Sequence, residues 1–146
     1  MEASFDRVWS RVITGGDDGL TELRRGIRRE TEIRGLCGSQ LKRNVGPAAR
    51  ETLNTLGKHA SDRLRQLQAL HCLIEGGVWK PPVSNAEPVE LPQALRELYR
   101  LLSDGASAAG DADARIGPDA SALLRRLAEA SQADAALLRR LAARSL

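Results

Sequence analysis

The stretch ETLNTLGKHASDRLRQLQALHCLIEGGVW, residues 51–79, decides the fold. Leu53, Leu56, Ala60, Leu67, Leu70 and Ile74 recur at steps of three, four and seven, and Arg63 falls on the same stripe between Ala60 and Leu67. That is the period of one buried helix face; a half-buried strand would alternate every second residue. Gly76 and Gly77 stop the pattern, and upstream Pro47 suits a first helical turn. The spacing predicts a helix from about 47 to 75.

The same period extends outward on both sides. Upstream, Leu20, Leu23, Ile27, Glu30, Cys37 and Leu41 form a stripe over about 18–43, with Asp17 or Asp18 available as an N-cap. Asn44, Gly46 and Pro47 read as a tight turn, so these two helices pair antiparallel. Residues 3–13 read as a short N-terminal helix with Phe5, Val8, Trp9 and Val12 on one face, closed by Gly15 and Gly16. Two large aromatics on so short a helix need cover, from the bundle or from a second subunit.

Downstream, residues 76–90 carry Pro81, Pro82 and Pro88 and read as an extended connection. Fifteen extended residues reach ~50 Å, whereas a helix of about 25 residues is ~38 Å long. The connection can therefore run the length of a bundle. A third helix is expected from Leu91–Pro92 through Leu95, Leu98 and Leu102, weakening over 103–114 where Gly105 and Gly110 occur. Pro118 and Asp119 open a fourth, striped by Leu124, Leu127, Ser131, Asp134, Leu138 and Leu141. The expected class is all-α, in a single domain over 1–146. It divides into an N-terminal helix (1–15), a first helix pair (18–75), a crossover (76–90) and a second pair (91–145).

Composition agrees with helices. Apolar residues make up 42% of the 146, but aromatics only 3%, so the interior must come from Leu, Ala, Ile and Val. The net charge of +3 is mild, with arginines interspersed among acids and Lys42, Lys58 and Lys80 the only lysines. That distribution does not make the basic block of a nucleic-acid surface. Residues 1–16 contain acids and no long apolar run, unlike a signal peptide. Nothing approaches the ~20 apolar residues of a membrane span. The expectation is a soluble cytoplasmic protein. Cys37 and Cys72 form no CxxC or Cys/His metal spacing.

Residues 51–79, LPQALRELYRLL (91–102) and DASALLRRLAEASQADAALLRRLAARSL (119–146) together resemble the second, third and fourth helices of the ferritin-like, rubrerythrin-type family. The resemblance covers about 20–145 and rests on leucine spacing, helix lengths and loop placement. It implies a four-helix bundle with one long crossover between helices two and three. The family holds a di-iron centre with one Glu on each of helices one and three and an ExxH on each of helices two and four. Residues i and i+3 share a helix face, so each ExxH delivers a carboxylate and an imidazole together.

Carried over residue by residue, the resemblance keeps Glu30 and loses most of the rest. The second-helix ExxH falls at Ala60 and Arg63, and the fourth-helix one at Ser131 and Asp134. The third-helix ligand falls near Leu101 to Asp104. Both family histidines are absent, so a di-iron oxidase is not expected.

Antiparallel pairing about residues 45–46 puts Glu30 level with 60–63. Arg63 is then either a snorkelling side chain or the neutralising partner of Glu30. An ionic cluster of Glu30, Arg63 and Asp134 in the core is the reading adopted. His59 and Asp62 share the i, i+3 spacing one position off the seam; they read as a solvated face or as a shifted ligand pair. His71 reads as a satisfied or exposed histidine, and Cys37 as a buried structural thiol. The cysteines lie ~27 Å apart along the axis, beyond disulfide reach. No Ser/His/Asp set, phosphate-binding glycine loop or paired catalytic carboxylates appear.

The leading functional expectation is a non-catalytic, metal-free structural or interaction protein, with a homodimer as a possible assembly. One alternative is an iron-binding or redox protein using Glu30, His59, Asp62 and Asp134; as an enzyme it would be an iron-dependent oxidoreductase. Another is an Arg-rich helical adaptor or nucleic-acid binder.

Overall fold

The computed structural model describes residues 17–82, 89–108 and 118–145. The proposed N-terminal helix with Phe5 and Trp9 lies outside them, as does the middle of the 76–90 connection. Among the described residues there are four helices and no strand: α1 (Asp17–Leu41), α2 (Pro47–Glu75), α3 (Leu91–Ser107) and α4 (Pro118–Ser145).

Local chemistry sets the helix ends. Pro47 stands in the first turn of α2, where its missing N–H costs nothing. Gly76 closes α2 in the left-handed conformation, at φ 83°, and its N–H donates to the Cys72 carbonyl at 2.8 Å. A side chain there would strain the backbone. The first helix ends at Leu41 rather than 43, because the Arg43 N–H already turns back to Gln40 O at 3.0 Å. Arg50, from the first turn of α2, donates to the carbonyls of Leu41 and Arg43 and covers that end.

The helices pack as a ring. Helix α1 lies against α2 and α3, and α4 against α3 and α2. Glu30 sits level with Arg63, and Arg24 with His71, so α1 and α2 are antiparallel. The apolar interior forms two clusters. One joins all four helices through Ile33, Cys37, Leu53, Leu56, Leu98, Leu102, Leu138 and Leu141. Among the described residues the other joins only α1, α2 and α4, through Leu23, Ile27, Leu64, Leu67 and Leu127. Each buried leucine contributes roughly 1.5–3 kcal/mol.

Two glycines permit close approach. A Cβ on Gly26 would stand 3.2 Å from Leu67 Cδ1, and one on Gly105 3.2 Å from Ser131 Oγ and 3.3 Å from Arg29 Cδ. The helix continues through Gly105 to Ser107, with Gly105 buried. Packing against α1 and α4 offsets its poor intrinsic propensity.

The described ends of the 76–90 connection touch opposite ends of α1. Trp79 lies beneath Arg24 and Arg28, their guanidinium carbons 5.5 and 5.9 Å from its ring centroid. At the other end Val89 O accepts from Gln40 Nε2 at 2.8 Å and from Arg43 Nη1.

Candidate functional site

Between the two apolar clusters the helix stripes change character. The α1 stripe presents Glu30, the α2 stripe Arg63 and the α4 stripe Asp134, each only 3% exposed. Arg63 lies between the two acids. Its Nε donates to Glu30 Oε2 at 2.9 Å, and its Nη1 donates to Asp134 Oδ2 at 2.6 Å. His59 stands one helical turn before Arg63, on the face toward α4, and its Nδ1 lies 2.8 Å from Asp134 Oδ1. An ionised carboxylate only accepts hydrogen bonds, so this Nδ1 carries a proton, and in the neutral ring Nε2 holds the free lone pair. The imidazole is half exposed, so the chain His59–Asp134–Arg63–Glu30 runs from the surface to the far side of the core.

Two carboxylates face one guanidinium, and the electrostatics record the imbalance. Burial pushes the Glu30 carboxyl above its ordinary pKa, despite the lowering pull of Arg63. Burial also works against the Arg63 cation, but the two acids together outweigh it and hold its pKa above the usual value. The cation is therefore secure, and the cost of the arrangement falls on Glu30. Arg63 Nη2 is buried without a hydrogen-bond partner. Such an orphan donor costs about 1–3 kcal/mol.

The third helix brings no carboxylate to this level. Leu101, Leu102 and Gly105 are buried there, while Asp104 is exposed and pairs with Arg100 at 3.1 Å. On α4, Ser131 Oγ donates back to Leu127 O at 3.1 Å. Below the cluster lies a partly enclosed cavity of about 50 Å³, walled by Gly26, Leu67, Gly105, Leu127 and Ser131. A shallow groove between α2 and α4, on the other side, is lined by Glu51, Thr52, Thr55, Leu137, Arg140 and Arg144.

Glu30, Arg63 and Asp134 thus meet, and His59 joins them. Asp62 does not: it is exposed and bonded to Arg65 at 2.7 Å. Of the alternative ligand set Glu30, His59, Asp62 and Asp134, the structure thus groups Glu30, His59 and Asp134 about Arg63 and leaves Asp62 apart. Three residues along α2 from His59, its side chain turns toward solvent while His59 leans against α4. Among the described residues no group of three or more His, Cys, Asp and Glu is placed to hold a metal ion. The side chains present do not fit a di-iron centre either. Glu30 Oε2 and both Asp134 oxygens already accept from Arg63 and His59, and a guanidinium cation stands among them.

The remaining candidates are structural. His71 is buried, with its Nδ1 donating to Gly77 O at 2.9 Å and its Nε2 accepting from Arg24 Nε at 3.2 Å. Both cysteines are free. Burial first, and then the Asp134 charge, pushes the Cys37 thiol up to about 12, so it has no thiolate character at neutral pH. The His59–Asp134 bond was missed in the sequence, although the four-residue step from His59 to Arg63 carried a signal for it.

Comparison with family models, with curated proteins and with solved structures finds no match to this chain.

Proposed function

We propose that this chain is a metal-free, ferritin-like bundle serving as a structural or interaction protein, with the Glu30–Arg63–Asp134 cluster at the level where that family holds its di-iron centre. The observation that carries the reading is the guanidinium of Arg63, buried and bonded to both acids. A fixed cation there repels a metal ion and uses the oxygens that would bind it. The ring order of the helices supports a ferritin-like topology, as does a 76–90 connection whose ends contact opposite ends of α1.

The test is metal analysis of protein purified without added metal, repeated after reconstitution with Fe(II). The expected result is no stoichiometric metal in either sample. Arg63→His should gain binding of a divalent metal, because it removes the cation and adds an imidazole beside Glu30 and Asp134. Stoichiometric iron on the wild type, lost in Glu30→Ala, would overturn the reading and favour the redox alternative.

A further inference from the structure

The exposed end of the buried chain has chemistry that a metal-free scaffold does not use. Asp134 holds the His59 Nδ1–H and is itself held by Arg63. This orients the ring and leaves Nε2 as the outward nucleophile, with no partner among the described residues. A carboxylate behind the other ring nitrogen fixes the ring's orientation and faces positive charge that develops on the ring.

The groove between α2 and α4 is lined by residues one helical turn from His59 and Asp134, on the side toward the α1–α2 turn. Thr55 lies one turn before His59 on α2, and Leu137 lies three residues after Asp134 on α4. Further along the groove are Arg140 and Arg144, neither paired with a described residue, against a single Glu51. Guanidinium forks match phosphate oxygens, and an excess of cations in a groove concentrates anions. A metal is the poorer reading. Asp62, the one carboxylate a turn away on the same helix, is tied to Arg65, and no three-ligand group exists among the described residues.

We propose that His59 is a phosphoryl-accepting histidine: the α2–α4 groove holds the phosphate of an acyl phosphate, and His59 Nε2 takes the phosphoryl group. The Nε2 lone pair forms the N–P bond as the P–O bond to the acyl group breaks, and the carboxylate leaves with the electron pair. No proton needs to move. The ring keeps its Nδ1–H and becomes cationic, facing the Asp134 carboxylate, while the phosphoryl oxygens face the groove arginines. The inference goes beyond a structural or interaction role and does not depend on whether the bundle is ferritin-like.

The test is incubation of the full chain with acetyl phosphate, followed by intact mass and phosphorus NMR. One acid-labile phosphoryl group per chain is expected, on Nε2 of His59, with a rate that saturates in acetyl phosphate. It should form at least about tenfold faster than on N-acetylhistidine. His59→Gln should abolish it. Arg140→Gln combined with Arg144→Gln should slow it about tenfold with no change in melting temperature. Buried His71, bonded at both ring nitrogens, should remain unmodified in the folded protein. Three results would overturn the proposal: no modification, a rate equal to that of N-acetylhistidine, or modification that persists in His59→Gln.

Discussion

The two halves of the bundle are built differently, although the same four helices run toward both. Above the ionic cluster, toward the α1–α2 turn, leucines from all four helices interlock around Ile33 and Cys37. Below it, among the described residues only α1, α2 and α4 supply the buried apolar cluster, beside a cavity of about 50 Å³. The difference traces to α3. It has 17 residues against 25 to 29 in the other helices, and its last turn and the residue after it offer Gly105 and Ala108 where the upper half has Leu98, Leu101 and Leu102. A core stripe that runs out of leucines on one helix leaves a void. The ionic cluster stands at the boundary.

The largest effect is expected at that boundary. Arg63→Ala leaves two buried carboxylates without their cation and should cost ~3–5 kcal/mol in denaturant unfolding. Replacing Glu30, Arg63 and Asp134 together with apolar residues should cost much less, because no charge is left unpaired. Equal losses in the two variants would show that the cluster is not a coupled unit.

The next comparison sets the halves against each other directly. Leu56→Ala in the upper core and Leu67→Ala in the lower core remove the same atoms. The upper change should cost ~3–5 kcal/mol and the lower about 2–3. Leu67 already borders the void, and solvent can relax into the space. A reversed order would break the distinction.

Glu30→Gln sharpens it through pH. The folded-state pKa of Glu30 is raised, so its contribution is most favourable below the unfolded value of 4.5 and is lost as pH rises through the folded value. The difference in stability between wild type and Glu30→Gln should therefore shift against the wild type as pH rises from about 4 toward neutrality. A difference that does not change with pH would contradict the raised pKa.

Smaller effects are expected at the periphery. Ala128→Val adds bulk to a wall of the lower cavity and should raise stability by about 0.5–1 kcal/mol, seen as a higher melting temperature. Asp62→Ala should change stability by no more than about 0.5 kcal/mol, because its bond to Arg65 is solvent-exposed. It should also leave the metal content unchanged.

Much of this architecture was legible in the residues. The helices announced themselves through apolar periodicity, and Gly76 and Pro47 marked their ends. Glu30, Arg63 and Asp134 stood out because each interrupts an otherwise apolar stripe. The rotation of each helix about its own axis was not legible. It decides that His59 meets Asp134 while Asp62, three residues on, faces water. Nor was the burial of Gln40 and His71 visible, because their cover comes from Val89, Gly77 and the loop around Trp79, which lie beyond the helices they cap. The use of Gly105 was not legible for a related reason: propensity reads only a weak point, whereas two neighbouring helices take its missing side chain as a contact.

The ionic cluster also makes the middle of this core sensitive to temperature. Hydration of charged groups becomes less favourable on heating, so the burden of keeping Glu30, Arg63 and Asp134 out of water eases as the protein warms. On cooling, that burden grows while the hydrophobic drive of the leucines on either side fades. Both changes act in the same direction at the same level of the bundle. The centre of the molecule is therefore where cold should first loosen the fold.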